Sequence, residues 1–358
     1  MKISKKIIRA LFMLTALVIC SSNTSFAQNS DSQQDTLRIL GVGNSWTRDS
    51  MRWLSAIAKS AGRPVIVGHG YLGGSKLEHQ YKGIDDTTFT YRHRHIDQIV
   101  HNTYQYWKYN GTENPVKIPE SGYKNGFAGI GVTLESVVKD EPWDIIIFQP
   151  HVVVKSNLPE YKGFDINHLV NRIKAMMDPE VASKVRCGLM VPFSYPEGST
   201  DYRQDVVNAY NDGKWPADQT EWDAIYERMH HEIQKDAIRL AAHMGKDCSF
   251  MVNVGEAIYR GRADNRLSSF GYKLQRSQGN THLAEGMPMY MASLCYAYIL
   301  LGIKPSDISF YPMYSADAHL TGDKGKTIKI KKLNDAPTAA YARELVYKSL
   351  KLGKARTR

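Results

Sequence analysis

Near the start of the chain the sequence reads LRILGVGNSWTRD, Leu37 to Asp49. A short apolar strand runs into Gly41-Val42-Gly43-Asn44-Ser45-Trp46, and two chemistries could follow from it. A dinucleotide-binding turn needs Gly-x-Gly-x-x-Gly, whose third glycine lets the helix pack closely. Gly41 and Gly43 fit, but Trp46 stands at the third place and no acidic residue ends the next strand. A phosphate-binding P-loop is ruled out as well, since no Gly-Lys-Ser/Thr follows. The other reading is a turn that presents Ser45. It lies past the carboxyl end of a strand and before a helix, the edge where open α/β sheets bind ligands. A helix N-terminus there would favour a developing alkoxide or oxyanion. A nucleophilic serine also needs a base and oxyanion donors, which must come from elsewhere in the chain.

Outward from this stretch, apolar runs alternate with helical patterns, the signature of an α/β fold with a mainly parallel sheet. After TLRILGVG the expected strands are PVIVGH (64–69), WDIIIFQP (143–150), KVRCGLMVPF (184–193) and CSFMVNVG (248–255). The unbroken Ile145-Ile146-Ile147-Phe148 run suits a strand buried on both faces. Helices are expected at about 49–62, 134–139, 165–177, 223–244, 287–301 and 339–352. Residues 80–130, rich in Tyr, His, Asn and Gly with little periodicity, read as an insertion above the sheet that belongs to the substrate site. Residues from about 305 form a C-terminal extension. Residues 28–358 are read as a single domain with these two additions.

Beyond the position of Ser45, five blocks of sequence resemble a known family. Gly43-Asn44-Ser45-Trp46 is similar to the first block, Gly-Asp-Ser-Leu, of the SGNH (GDSL-type) hydrolases. It is closer to a secreted bacterial branch, long catalogued as a domain of unknown function, whose block reads Gly-Asn-Ser-Phe. Gly73-Gly74-Ser75-Lys76-Leu77-Glu78-His79 resembles that branch's second block, offset by one residue. Trp143 to Pro150 resembles its third-strand block, and Val254-Gly255-Glu256-Ala257-Ile258 a later one. His282-Leu283 with Gly286 resembles the final histidine block. The resemblance covers about Leu37 to Ile303 and implies a three-layer α/β/α sandwich around a mainly parallel five-stranded sheet, of SGNH hydrolase or flavodoxin-like type. It implies Ser45 as nucleophile and His282 as general base. The backbone N–H groups of Ser45 and Gly74 would line an oxyanion hole, and Gln149, in the place of the superfamily's asparagine, has an amide to offer. Asn44, Trp46, His79, His151 and Asn280 are expected near the substrate.

Two departures stand out. The superfamily's orienting aspartate, three residues before the histidine, is Gly279 here, so the acid is missing, displaced or replaced by a carbonyl. Pro150, followed by His151, stands where the branch often has Gln.

The N-terminus reads as an export signal: Lys2, Lys5, Lys6 and Arg9, an apolar run from Leu11 to Cys20, then Ser25-Phe26-Ala27. That run is too short to span a bilayer. Cys20 suggests a lipid anchor, but Ile19 stands where a small residue is wanted. The expected product, residues 28–358, is periplasmic or extracellular. Loss of residues 1–27 lowers the net charge from +10 to +6. The basic stretch Lys324–Lys332 alternates with Ile like a solvated strand or hairpin and lacks a nucleic-acid motif. Cys187, Cys248 and Cys295 sit in apolar segments as structural thiols, with one disulfide possible. His79, His93, His95, His230 and His231 lack metal-ligand spacing, so no metal or organic cofactor is expected. Glu256 and Arg260 read as structural residues. Tyr104, Tyr106, Trp107 and Tyr109 could stack on sugars or pack the insertion. Together these readings lead to a secreted serine esterase acting on acyl, first acetyl, esters of carbohydrates. The alternative is a non-catalytic carbohydrate-binding protein on the same scaffold. The oligomeric state is not legible.

Overall fold

The apolar run that opens the chain's fold becomes the central strand of a sheet. The computed structural model describes residues 36–85, 92–95, 105–108, 116–118, 134–161, 163–200, 203–312, 319–321, 327–329 and 335–356. The segment expected to be an export signal lies outside these residues. One sheet contains β1 (Leu37–Gly43), β2 (Val65–Tyr71), β3 (Arg92–His95), β4 (Gln105–Lys108), β5 (Val116–Ile118), β6 (Ile145–Phe148), β7 (Arg186–Val191) and β8 (Phe250–Asn253). Their order across it is β5-β4-β3-β2-β1-β6-β7-β8. From β2 to β8 the five strands are parallel, with Gly43 level with Tyr71 and Val42 level with Phe148. The expected strands form this parallel core. All four residues of β6 are fully buried, which only cover on both faces allows. Among the described residues of 80–130, expected as an insertion above the sheet, β3, β4 and β5 add antiparallel strands beside β2 and widen the sheet in its own plane. The aperiodic sequence there hid them, since strands of three or four residues are too short to show an apolar alternation.

The helices are α1 (Ser45–Met51), α2 (Leu54–Ser60), α3 (Leu77–Asp85), α4 (Leu134–Lys139), α5 (Ile166–Met176), α6 (Pro179–Lys184), α7 (Arg203–Tyr210), α8 (Gln219–Met244), α9 (Val254–Ala263), α10 (Met287–Leu300) and α11 (Ala336–Arg356). One layer joins α1, α2, α9, α10 and α11; the other joins α3, α4 and α5, with α8 tied to it by His243, 2.8 Å from Asp165 at the cap of α5. The result is a three-layer α/β/α sandwich around a five-stranded parallel sheet. Residues 36–358 make one compact unit. No helix among the described residues is long and apolar enough to cross a membrane. β9 (His319–Thr321) and β10 (Thr327–Lys329) form a separate antiparallel hairpin in the basic C-terminal stretch. Cys187, Cys248 and Cys295 are free thiols.

Residues along α10 are apolar on every side and buried from Met287 to Tyr298, so this helix needs cover all round. The C-terminal helix α11 supplies part of it through Ala339, Ala342, Val346 and Leu350, which share one face. The extension is thus packed into the domain. The helix expected at 49–62 begins earlier, at Ser45, and is broken after Met51. The cause is Ser293 on α10. Its hydroxyl accepts the Trp53 N–H and donates to the Ser50 carbonyl, both at 2.9 Å, and so inserts into the helical ladder.

The two glycines of the opening stretch have a packing purpose. A Cβ on Gly41 would sit 2.5 Å from Thr47 Cγ2 and 2.6 Å from Met51 Sδ. One on Gly43 would sit 2.2 Å from Thr47 Oγ1 and 2.8 Å from Gln149. Their absence lets α1 lie down on the end of β1, and this fixes where Ser45 points.

Candidate active site

Asn44 ends β1 and caps α1. Its Oδ1 accepts the Trp46 N–H at 2.9 Å, and its Nδ2 donates to the Ser75 carbonyl at 3.0 Å. Ser45 is therefore the first helical residue, and it is half-buried. Its N–H belongs to the helix's first turn, where no intrahelical acceptor exists. With seven residues α1 has a short dipole, so individual N–H groups matter more here than the macrodipole.

The loop after β2 is fastened beside Ser45. The Leu72 N–H donates to the Gly43 carbonyl at 3.1 Å. Ser75 Oγ donates to the Leu72 carbonyl and accepts from Gln80 Nε2, at 2.9 and 2.7 Å. Gly74 has φ +64°, and a Cβ there would meet nothing within 4 Å. Glycine is selected by the left-handed backbone rather than by space. Among the described residues, neither the Ser45 N–H nor the Gly74 N–H has a hydrogen-bond partner. Two free donors thus lie in the serine's own N–H and in the loop fastened to its turn.

Gln149, expected as an oxyanion donor, is tied into the turn that carries Ser45. Its Oε1 accepts the Asn44 N–H at 3.0 Å and the Thr47 hydroxyl at 3.3 Å. Its Nε2 donates to the Pro150 carbonyl. The backbone donor at Asn44 fixes which end of the amide is oxygen. With both ends of its amide engaged and 1% of its surface exposed, Gln149 braces the turn that carries Ser45.

His282 sits in the loop before α10, as the final block implied. Asn280 Oδ1 accepts the His282 N–H at 2.8 Å, and the His282 carbonyl accepts the Arg276 N–H at 3.1 Å. The ring meets a carboxylate that the sequence reading did not assign: Asp49 Oδ2 lies 2.8 Å from His282 Nδ1. Asp49 is fully buried on α1, four residues and one turn after Ser45. Burial alone would raise its pKa. The charge of His282, then that of Arg48, with the His282 hydrogen bond and Arg276, hold it well below the usual carboxylate range. Asp49 is therefore the acceptor and Nδ1 the donor; in the neutral ring this is the tautomer whose Nε2 carries the lone pair a general base requires.

Arg48 binds the other oxygen, Asp49 Oδ1, through Nε and Nη2 at 3.2 and 3.1 Å. Its Nη2 is also 3.4 Å from His282 Nδ1. With Nδ1 protonated, that last contact joins two donors and is not a hydrogen bond. Arg276 Nη2 lies 4.0 Å from Asp49 and 3.6 Å from Glu285. In this resting arrangement no hydrogen bond joins the Ser45 hydroxyl to His282 among the described residues. Such contacts are often open in ligand-free enzymes and tighten on binding.

The other expected substrate residues are distributed unevenly. Asn44 and Asn280 spend their side chains on the cap and on the His282 loop. Trp46 is buried, stacked on Phe193 at 4.6 Å and on His151 at 6.0 Å, with Tyr195 edge-on at 5.8 Å. It forms the floor beneath the serine, not a platform in solvent. His79 Nδ1 accepts the Lys76 N–H at 3.4 Å, at the start of α3. His151 is half-buried, and its Nδ1 is enclosed without a hydrogen-bond partner. Burial, with Lys76 nearby, lowers its pKa to about 4, so it is neutral at pH 7. Elsewhere Glu256 accepts from His230 at 3.2 Å and from Arg260 at 2.9 Å, tying α8 to α9. The side chains of His93, His95, Tyr104, Tyr106, Trp107 and Tyr109 lie outside the described residues. No group of three or more His, Cys, Asp or Glu among the described residues could hold a metal ion.

No family model matches this chain, and no curated protein matches it. Solved structures do. A DUF4886 family protein from Bacteroides uniformis ATCC 8492 is 16% identical, with a TM-score of 0.59 over 88% of this chain and 95% of that one. A protein from Slackia heliotrinireducens described as "a putative SGNH hydrolase" is 12% identical, with a TM-score of 0.35 over 74% and 98%. A gut microbial diltiazem-metabolizing enzyme, BT4096, is 12% identical, with a TM-score of 0.31 over 75% and 46%. At 16% identity the first of these likenesses is one of fold.

Proposed function

We propose that this protein is an exported serine esterase that removes acyl groups, acetyl first, from carbohydrates. The observation that carries the reading is the 2.8 Å contact between Asp49 and His282, made by a buried carboxylate on the same helix as Ser45. In the proposed reaction Ser45 Oγ attacks the ester carbonyl while His282 Nε2 takes its proton. Asp49 stabilises the imidazolium that forms. The tetrahedral oxyanion is met by the Ser45 and Gly74 N–H groups, which have no other partner to leave. Collapse expels the sugar alcohol, protonated by His282, and leaves an acyl-serine. Water activated by His282 then hydrolyses it. Export and the carbohydrate substrate are supported by the N-terminal pattern and by the family resemblance.

The competing reading is a carbohydrate-binding protein without catalysis, favoured by the unmade bond between Ser45 and His282. Hydrolysis of 4-nitrophenyl acetate and acetate release from acetylated xylan separate the two. The esterase releases product and Ser45→Ala abolishes it. If wild type and Ser45→Ala are equally inert while the glycan still binds, the binding reading holds.

A further inference from the structure

The chain leaves β6 through Gln149, Pro150 and His151, and the imidazole of His151 has no part in the reaction of Ser45 and His282. Both residues beside it are tied down. The Pro150 carbonyl accepts from Gln149 Nε2, and the Val152 carbonyl accepts from the Tyr210 hydroxyl at 2.7 Å. The His151 ring lies nearly parallel to that of Trp46, at 9° with centroids 6.0 Å apart, and Trp46 is the residue after Ser45. The charges of Lys76 and His79, which follow Gly74 in the chain, also reach the ring. His151 thus adjoins the Ser45 turn by contact and the Gly74 loop by charge, and these carry the two free N–H donors.

The two ring nitrogens are not equivalent. Nδ1 is enclosed and has no hydrogen-bond partner, whereas Nε2 is not enclosed. Burial first, then Lys76, against the opposing charge of Asp205, lowers the pKa to about 4, so the ring is neutral at pH 7. A neutral imidazole has one N–H and one bare nitrogen. Orphaned N–H groups are rarer in protein interiors than under-satisfied acceptors. The enclosed Nδ1 is therefore the bare nitrogen, and the proton sits on Nε2. With its lone pair shut away, the ring cannot serve Ser45 as a second base. At its open edge it offers a hydrogen-bond donor, in a plane fixed by the stack on Trp46.

We propose that His151 donates its Nε2–H to the carbonyl oxygen of the bound ester, as a third donor beside the Ser45 and Gly74 N–H groups. The inference rests on the esterase reading. The hydrogen bond strengthens as that oxygen gains negative charge in the tetrahedral intermediate, and the proton stays on Nε2 throughout. A neutral imidazole can polarise a carbonyl in this way. Because the ring is already held by its stack and by its enclosed edge, the donor needs no reorganisation when the charge develops. Its loss should therefore be felt in kcat rather than in KM.

The test measures kcat and KM on 4-nitrophenyl acetate at pH 7 for wild type, His151→Phe and His151→Gln, with thermal melts to establish folding. Phenylalanine keeps the stack on Trp46 and removes the donor; glutamine restores an N–H. His151→Phe should lower kcat about ten- to a hundredfold with KM within about threefold, and His151→Gln should recover part of the loss. A two-bond proton–nitrogen correlation spectrum of wild type, with His151 assigned by its absence from a variant, should show Nε2 protonated and Nδ1 bare. Should neither variant fold, that tautomer decides alone, the signal then being assigned by its lack of protonation down to about pH 5. The proposal is overturned if folded His151→Phe keeps kcat within about threefold of wild type, if the loss lies in KM alone, or if Nδ1 carries the proton. Wild type inert toward both 4-nitrophenyl acetate and a fluorophosphonate overturns the esterase reading and this proposal together. An active wild type with an indifferent His151→Phe overturns this proposal alone.

Discussion

Replacing Asp49 by Asn keeps the shape of the side chain and inverts its chemistry. An amide Nδ2 facing His282 Nδ1 would donate where the carboxylate accepted, moving the ring proton to Nε2 and removing the base. The lost contact is a charge-assisted hydrogen bond of 2.8 Å, worth about 1.5–3 kcal/mol, or about ten- to 150-fold in rate. The tautomer change adds to this; in the serine protease triad the same exchange lowers kcat by about 10⁴. Arg48 and Arg276 share the charge of Asp49 here, which leaves less of it for His282. The expected loss in kcat is therefore about 10²–10⁴-fold, with KM little changed because Asp49 is buried away from substrate. Initial rates on 4-nitrophenyl acetate measure it, with a thermal melt to establish that the variant is folded. A folded Asp49→Asn protein within about threefold of wild type would refute the assignment of Asp49 as the orienting acid.

Gln149→Met leaves the Asn44 N–H buried without an acceptor and should cost about 1–3 kcal/mol in urea unfolding as well as activity. A variant with lost activity and unchanged stability would make Gln149 an oxyanion donor instead. Gly43→Ala forces a methyl against Thr47 Oγ1 at 2.2 Å, so the melting temperature should fall by several degrees, a cost of about 1–3 kcal/mol. Acid should destabilise the protein through two carboxylates. Asp49 is held low as described, and Glu256 is lowered to about 2, first by the hydrogen bond from His230 and then by Arg260, against its burial. Each has a folded pKa below its unfolded one, so its contribution is complete above about pH 5 and is lost as the pH falls through about 4 toward 2. Urea midpoints from pH 7 to 2.5 should be flat and then drop, and Asp49→Asn should shrink the drop.

Much of this architecture is legible in the sequence because buried parallel strands announce themselves as unbroken apolar runs, Ile145 to Phe148 most plainly. The strands β3 to β5 are not legible, since a strand of three or four residues leaves no periodic trace. The break at Arg52–Trp53 is equally hidden: it is made by Ser293, some 240 positions away. The candidate site divides in the same way. Ser45, Gly74 and His282 stand in blocks that can be read locally. Asp49 stands in the opening stretch itself, but the superfamily's pattern puts the acid beside Gly279 and the apolar periodicity starts the helix at Asp49. A helix that starts at Ser45, directly after the Asn44 cap, puts Ser45 and Asp49 on one face by their four-residue spacing.

Reactivity of Ser45 can be measured without knowing the substrate. The protein is incubated with a fluorophosphonate, digested, and mapped by mass spectrometry. An activated Ser45 should carry a single phosphonyl adduct, absent in Ser45→Ala and formed at least about a hundredfold more slowly in His282→Ala and Asp49→Asn. No adduct on folded wild type, or one at equal rate in the His282 variant, would show that Ser45 is not a nucleophile served by this histidine and its aspartate.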